Sequence, residues 1–278
     1  MPKALITLTT DFGEKDHFVG AVKGAIYSEL DTIKIVDISH SISPFHITQA
    51  AYIIQNAYKN FPPGSIHIIG IDSELNPENK HIAVLFDGHY FICANNGIIS
   101  MLTSEIKPEK IVEINVHEKI ESNFPVLDVF VKVACHIARG GTLDVIGKSI
   151  TNIKQLTGIK PVINPENNHI IGNVIYIDNY GNVISNISKS LFEKIGKGRK
   201  FNIRARTANF SVIHKRYSDA INFEMSKERR EEDGKKLALW NSSGFLEVAI
   251  YKSNPSTVGS ASTLFGLNYR DTISVYFE

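Results

Sequence analysis

The chain of 278 residues has an ordinary globular composition, with 43% hydrophobic and 21% charged residues. These fractions argue against intrinsic disorder, and a chain of this length can form two domains with hydrophobic cores of their own. The 30 basic and 29 acidic side chains give a net charge of +1 without a dense basic cluster, so nucleic acid is not an expected partner.

The N-terminal sequence and the two cysteines indicate the cellular compartment of the protein. The apolar stretch after Met1 is too short for a signal peptide, and no apolar segment approaches the roughly 20 residues that span a bilayer. Cys93 and Cys135 lie in apolar surroundings, which favours two buried thiols, although a disulfide between them stays open at this point. We therefore expect a cytoplasmic protein with no membrane partner.

Strand-like and helix-like patterns alternate through the first half of the chain. Strands are predicted at residues 4–8, 33–38, 65–71, 82–86 and 90–93, and helices at residues 17–29, 48–60 and 128–139. This alternation predicts an N-terminal α/β domain over residues 1–152, with a mixed or largely parallel sheet flanked by helices.

The pattern changes near residue 150. Residues 153–168 are rich in Pro, Asn and Gly and are interpreted as a linker. Strand-like runs then follow at residues 170–177, 182–187, 200–203, 236–240, 245–250 and 272–277, almost without helical periodicity. Residues 169–278 are therefore predicted to form a small antiparallel β-barrel domain. The mixed-charge run 226–236 is interpreted as a solvated loop or insertion.

Polar side chains follow several predicted strands of the first half. Ligands bind beyond the carboxyl ends of strands in α/β sheets, where Asp11, Asp16, Asp72 and Asn95 are expected to lie. A carboxylate accepts two hydrogen bonds at once, which suits a ribose diol. Helix capping is the alternative for the two aspartates after the first strand, and a tight turn is the alternative for Asn95 and Asn96.

Other common chemistries lack their sequence signals. The ten histidines show no metal-binding spacing, so no metal is expected, and His40 is interpreted as a residue that anchors a loop. The Asp-Phe-Gly sequence at 11–13 lacks the other motifs of protein kinases. A catalytic-serine elbow and a glycine-rich phosphate loop are absent from the sequence.

Taken together, the segments resemble the S-adenosylmethionine hydroxide adenosyltransferases (SAM hydrolases) and their relatives, the fluorinases and chlorinases. The matching motifs occur in the family's order at residues 10–13, 20–24, 36–44, 61–64, 95–97, 177–178, 180–183, 186 and 242–247. The resemblance implies an α/β domain, a β-barrel domain and a homotrimer with binding sites between neighbouring subunits. It implies S-adenosyl-L-methionine as the small-molecule ligand and no further cofactor.

The resemblance also implies a role for each matched position. Asp11 would bind the two ribose hydroxyls, Asp16 would face the methionine end, and Phe45 would line the ribose side. Tyr180 and Tyr217 would enclose the adenine between their rings. Further substrate-binding positions, for polar groups of the ligand, would be Asn95, Asp178, Asn182, Ser242 and Glu247.

The implied reaction is attack of water or hydroxide on C5′ of the ribose, which releases adenosine and L-methionine. Asp72 falls where a hydrolase has the water-orienting Asp and a halogenase has Tyr, which favours hydrolysis. The hydrolases use an Asp-Arg-His set, and here Asn79 stands in place of the Arg and Pro125 in place of the His. Lys80 or His81 could substitute, although Lys80 would point to the opposite face of an extended segment.

Two other functions follow from these departures. The protein could be a non-catalytic or altered-specificity adenosyl-binding homologue that has lost the catalytic set. A halogenase ranks third, because Pro125 and Val126 stand where a small polar halide pocket would be needed.

Overall fold

The computed structural model describes residues 5–103, 106–116, 122–230 and 234–278. Contacts divide the chain into two compact units, Met1–Gly158 and Ile159–Glu278. The predicted fold class, an α/β domain followed by an antiparallel barrel-like domain, is confirmed. Residue 4 of the first predicted strand and residues 231–233 of the charged run lie outside the described residues.

In the N-terminal unit, seven strands of the described residues form one mixed sheet. They are β1 (Leu5–Thr10), β2 (Lys34–Ser39), β3 (Ile66–Gly70), β4 (His81–Phe86), β5 (His89–Ala94), β6 (Lys110–Ile114) and β7 (Gly147–Ser149). The strand order is β2-β1-β3-β5-β4-β6-β7. The first four strands of this order run parallel, and the remaining pairs are antiparallel. The β4–β5 hairpin turns at Asp87 and Gly88, both with positive φ.

Helices cover both faces of this sheet. They are α1 (Phe18–Glu29), α2 (Ile47–Ala57), α3 (Ile98–Leu102) and α4 (Val131–Ala138), with 3-10 turns at Tyr58–Asn60 and Leu143–Val145 and a π turn at Val126–Phe130. The predicted helix 128–139 is thus a π turn continued by α4. Gly140, with φ 86°, follows the last helical turn.

Two hydrophobic clusters fill the faces of the sheet. Successive residues of β3 point in opposite directions, so Ile68 packs with α1 and α4 while Ile69 packs with α2 and α3. Cys135 belongs to the first cluster and Cys93 to the second, and both are free thiols. Burial raises the pKa of both thiols, that of Cys135 to about 11. The predicted pair of buried thiols is confirmed.

In the C-terminal unit, nine strands of the described residues form a barrel-like sheet. They are β8 (Val162–Ile163), β9 (His169–Ile177), β10 (Val183–Ser188), β11 (Phe201–Ala205), β12 (Ala208–Phe210), β13 (Ile213–His214), β14 (Lys236–Trp240), β15 (Phe245–Ile250) and β16 (Thr272–Phe277). The order is β12-β11-β16-β9-β10-β15-β14-β13, with β8 beside β9. All pairs are antiparallel except β13–β14.

The same unit contains two short helices that the sequence pattern did not predict. They are α5 (Lys189–Gly196) and α6 (Ala261–Phe265), and the side chains of Ser188 and Ser260 cap their N-termini. Eight and five residues are too few to establish a helical period in a sequence. No helix in the four described stretches of chain is long and apolar enough to cross a membrane.

Parallel pairing brings the ends of β1 and β3 to one edge of the N-terminal sheet. Thr10 lies opposite Gly70 in the register, so the chain leaves both strands at the same height. A Cβ atom on Gly70 would lie 3.0 Å from Val126 and 3.1 Å from Thr10. Glycine therefore allows a close approach immediately before Asp72.

Within the N-terminal unit, hydrogen bonds join residues 154–156 to the turn and helix that follow β5. The Asn96 side chain donates to the Ile71 carbonyl at 2.9 Å, and the Leu156 N–H donates to the Ser100 hydroxyl at 2.9 Å. Gly97 has φ 102°, and a Cβ there would lie 2.7 Å from the Leu156 Cβ. This position needs glycine both for its backbone conformation and for the close contact.

Substituting Gly97 should therefore destabilise the N-terminal unit. We expect Gly97→Ala to lower the free energy of unfolding by about 2 kcal/mol, because it adds backbone strain and a steric overlap. Urea unfolding followed by circular dichroism measures the change. The matched control is Gly24→Ala in α1, where a Cβ meets nothing within 4 Å; this variant should gain about 0.5–1 kcal/mol. Equal stabilities of the two variants would contradict the interpretation.

Candidate functional site

Asp11 leaves β1 at the sheet edge and is partly buried. Its Oδ2 accepts the Phe45 N–H at 2.8 Å. Burial raises the pKa of Asp11, the N–H groups of Phe45 and of Asp11 itself lower it, and the negative charge of Asp72 raises it again. The two carboxylates therefore lie close enough to influence each other. The lone pairs of Asp11 that Phe45 does not use can accept hydrogen bonds from a diol.

His40 fixes the loop that carries Asp11. Its buried ring shares a 2.7 Å hydrogen bond between Nδ1 and the Thr10 hydroxyl, and its carbonyl accepts the Gly13 N–H at 2.8 Å. Its Nε2 lies 3.1 Å from Asp37 Oδ1. The structure thus confirms the interpretation of His40 as a residue that anchors the loop.

Two residues near Asp11 have left-handed backbones. Phe45 has φ 62° and Asp72 has φ 44°, in the region that aspartate tolerates and a bulky aromatic residue avoids. The strain at Phe45 is on the order of 1–3 kcal/mol, and such strain concentrates at functional sites. The Phe45 ring is nevertheless 72% exposed. An exposed ring on a strained backbone, next to a partly buried carboxylate, offers a binding surface for a planar ligand with hydroxyl groups.

Asp72 is linked through Asn79 to a lysine far along the chain. Asn79 Nδ2 donates to Asp72 Oδ2 at 3.2 Å, and Lys154 Nζ donates to Asn79 Oδ1 at 3.2 Å. The backbone N–H of Asn79 donates to the Asn76 side chain at 2.9 Å, which fixes the turn. Asn95 Oδ1 accepts the Lys154 backbone N–H at 2.9 Å. The amide thus bridges a carboxylate and an ammonium.

Sequence reasoning missed Lys154. Its only sequence context is a segment whose composition indicates a linker, and it lies 75 residues after Asn79. Of the two cations considered from sequence, Lys80 is exposed, as Lys154 is, and the buried His81 ring bonds to the Ser73 carbonyl through Nε2 at 2.9 Å.

The remaining predicted positions of this unit have separate surroundings. Asp16 is exposed, and His17 rather than Asp16 occupies the N-cap position of α1. The side chain of Asn95 is engaged with Lys154, as described above. Pro125 is buried immediately before the π turn. The ligand-binding roles predicted for Asp16 and Asn95 stay predictions.

In the C-terminal unit, the Asp178 carboxylate organises the turn between β9 and β10. Its Oδ1 accepts the N–H groups of Tyr180 and Asn182, and its Oδ2 accepts the Asn182 side-chain amide, all at 2.9 Å. A Cβ on Gly181 would lie 2.2 Å from the Ser260 hydroxyl, so the tight turn excludes side chains there. The Tyr180 ring is 65% exposed.

Glu247 on β15 is only 3% exposed. Its Oε1 accepts the Tyr217 hydroxyl at 2.6 Å. Burial raises the pKa of Glu247 to about 7; the Tyr217 hydrogen bond opposes this rise, the charge of Asp178 adds to it, and Asn241 opposes it. Ser242 is exposed in the adjacent turn. We call the group of Asp178, Asn182, Tyr217 and Glu247 the C-terminal cluster.

The polar groups of both units suit an organic ligand better than a metal. Among the described residues, no three His, Cys, Asp or Glu side chains converge in a way that could hold a metal ion. Carboxylates, amides and partly exposed aromatic rings are present instead. These groups accept hydroxyl and ammonium donors and stack on planar rings.

Comparison with protein families gives two adjacent matches. Residues 6–147 match the SAM hydroxide adenosyltransferase N-terminal domain, and residues 172–274 match the SAM hydroxide adenosyltransferase C-terminal domain. Residues 148–171, which include Lys154, lie between the two matched regions.

Similar proteins agree with these matches over the full length. The (R)-S-adenosyl-L-methionine hydrolase of Methanocaldococcus jannaschii is 30% identical over 98% of this chain and 96% of its own. The fluorinase of Actinopolyspora mzabensis is 22% identical over 98% and 96%. A crystal structure of an uncharacterized conserved protein from Thermotoga maritima has a TM-score of 0.81 at 27% identity, covering 98% of this chain and 99% of the other.

Glu247 should make the stability of the C-terminal unit depend on pH. Its folded pKa of about 7 lies above the ordinary 4.5, so the folded state holds the proton more tightly. Its stabilising contribution is complete below pH 4.5 and is lost as the pH rises through 7, a change on the order of 3 kcal/mol. Glu247→Gln should remove this part of the pH dependence.

Urea unfolding between pH 4.5 and 8 measures the effect, with the fluorescence of Trp240, the only tryptophan, as the reporter. Trp240 ends β14, next to β15, so it reports on the unit that contains Glu247. Glu193→Gln, at an exposed position on α5, is the matched control and should keep the wild-type pH dependence. An identical pH dependence in wild type and Glu247→Gln would show that the carboxyl is not buried as described.

Proposed function

Since the chain belongs to the SAM hydroxide adenosyltransferase family, we propose that it hydrolyses S-adenosyl-L-methionine to adenosine and L-methionine. The observation that carries the proposal is the group formed by Asp11, Phe45 and Asp72. It combines a carboxylate for a diol, an exposed aromatic ring and a second carboxylate near the first. The full-length similarity to a relative named as a hydrolase supports the same activity.

In the proposed mechanism, Asp11 binds the two ribose hydroxyls and Asp72 orients a water molecule toward C5′. The oxygen–C5′ bond forms while the C5′–sulfur bond breaks, and the electron pair of that bond neutralises the sulfonium. Methionine leaves as a thioether. One proton of the water stays on the new 5′-hydroxyl, and the other passes through Asp72 to solvent. The sulfonium is a good leaving group, so positioning of the water is the main task of the protein.

The C-terminal cluster and the exposed Tyr180 are proposed to bind the rest of the ligand. Tyr180 and Tyr217 supply aromatic surfaces for adenine, and Glu247 supplies a carboxylate for the methionine ammonium. Burial raises the pKa of Glu247, and an ammonium next to this side chain would lower it again by favouring the ionised form. Ionisation of Glu247 would then accompany ligand binding. Asp16, Asn95, Asp178, Asn182 and Ser242 complete the proposed set of ligand-binding residues.

Asp72→Asn tests the role of the water-orienting carboxylate. We expect kcat for adenosine formation to fall by about 10²-fold or more, because the amide cannot accept the proton. The affinity for adenosine, measured by calorimetry, should stay close to wild type. Asp11→Asn should instead weaken adenosine binding, by about tenfold or more, because a charged hydrogen-bond acceptor is lost.

Chromatographic detection of adenosine and methionine, formed in equal amounts, measures the reaction. Wild-type activity no higher than that of Asp72→Asn would contradict the hydrolase proposal. Adenosine binding without turnover would then favour the second candidate, a non-catalytic adenosyl-binding protein, which Asn79 and Pro125 at the Arg and His positions also favour.

We further propose a homotrimer whose sites form between neighbouring subunits. The exposed rings of Phe45 and Tyr180, one in each unit of the chain, support an assembly in which both are covered. Light scattering should then give three times the 31.0 kDa mass of the chain.

Mixing two inactive variants tests the shared site. Asp72→Asn damages the N-terminal half of a site and Tyr180→Ala the C-terminal half. If each site combines halves from two subunits, mixed trimers should recover about a quarter of the wild-type activity. Separately purified trimers of the two variants, combined without subunit exchange, are the control. Mixed trimers that stay inactive would contradict sites shared between subunits.

A further inference from the structure

Asp72 lacks a direct cationic partner in the described contacts but has an indirect one. We propose that Lys154 is a positioning residue that acts through Asn79 on the carboxylate of Asp72. Lys154 thereby supplies the positive charge of the water-handling site from outside both matched domain regions. The inference rests on the proposed hydrolysis and deepens it.

The contacts of Asn79 give the bridge a direction. Its amide nitrogen faces the carboxylate of Asp72, and its amide oxygen faces the ammonium of Lys154, each at 3.2 Å. A donor thus meets an anion and an acceptor meets a cation, so both hydrogen bonds are charge-assisted. The ammonium polarises the amide, which strengthens the donor toward Asp72.

The bridge itself has little freedom to move. Asn79 is only 8% exposed, and its backbone N–H is held by Asn76 at 2.9 Å. The hydrogen bond from Asn79 therefore holds the Asp72 carboxylate in place, as a residue that orients a water molecule requires.

The backbone of Lys154 is held independently of its side chain. Its N–H donates to Asn95 at 2.9 Å, and two residues later the Leu156 N–H donates to Ser100 at 2.9 Å. Gly97 leaves the space in which Leu156 packs. The turn after β5 thus directs the ammonium toward Asn79, and this gives the Asn-Asn-Gly sequence a role in positioning Lys154.

The positive charge of Lys154 offsets the negative charge that Asp11 and Asp72 concentrate at this edge of the sheet. Because the ammonium lies behind Asn79, it does not occupy the carboxylate oxygen of Asp72 that a water molecule needs.

Steady-state kinetics of Lys154→Met and Lys154→Arg tests the proposal. We expect Lys154→Met to lower kcat by about 10- to 100-fold while KM stays within about threefold, because the substrate does not contact this side chain. Lys154→Arg should recover most of the loss, since it keeps the charge. Adenosine affinity should be unchanged in both variants. Lys80→Met, at an exposed lysine next to Asn79, is the matched control and should keep wild-type kcat.

A double-mutant cycle tests whether the effect passes through Asn79. Asn79→Ala alone should lower kcat about as much as Lys154→Met, and the double variant should lose little more. If Lys154→Met folds poorly, Asn79→Ala alone still decides the question, because it breaks the same bridge with the lysine intact: an unchanged kcat in this variant would overturn the proposal.

The outcomes distinguish the proposed hydrolysis from the proposed role of Lys154. Wild-type protein that forms no adenosine overturns the hydrolase proposal and the inference with it. An active wild type with unchanged kcat in Lys154→Met overturns the inference alone. Parallel changes in kcat, KM, adenosine affinity and melting temperature would also overturn it, because they indicate a purely structural role.

Discussion

The site of the N-terminal unit depends on the close parallel approach of β1 and β3. Thr10 and Gly70 lie opposite each other, and the absence of a side chain at Gly70 leaves room for the neighbouring Val126. Because both strands end in register, Asp11 and Asp72 leave the sheet at one edge and interact electrostatically. The other features of the site are hydrogen-bonded to these two carboxylates: the Phe45 N–H donates to Asp11, and the Asn79 side chain donates to Asp72.

Much of this arrangement could be predicted from sequence, because it follows from local pattern and a general rule of α/β folds. The apolar runs define the strands, and the first charged residues after them, Asp11 and Asp72, are those that the sheet edge brings together. The anchoring role of His40 follows in the same way. The helices α5 and α6 could not be predicted, since they are too short to show a period.

Lys154 could not be predicted for a different reason. Its contact with Asn79 spans 75 residues and depends on how a polar segment packs against the turn after β5. The composition of that segment indicates a linker, and neither family domain match includes it. A replaced Arg in sequence thus says little about whether the charge has been lost, because a lysine from elsewhere in the chain contacts the residue that stands at the Arg position.

Each unit has acidic side chains that influence one another. Asp178 is satisfied by three N–H donors, whereas Glu247 nearby has its pKa raised to about 7. In the N-terminal unit, Asp11 and Asp72 form a second concentration of negative charge.

The two free thiols give each face of the N-terminal sheet its own chemical reporter. Cys93 lies on the side of α2 and α3, and Cys135 on the side of α1 and α4. A thiol-modifying reagent reaches either one only when that layer opens, because both are buried and protonated at neutral pH. The modification rates of the two thiols therefore measure whether the helices on the two faces of the sheet open independently, without any foreign label in the protein.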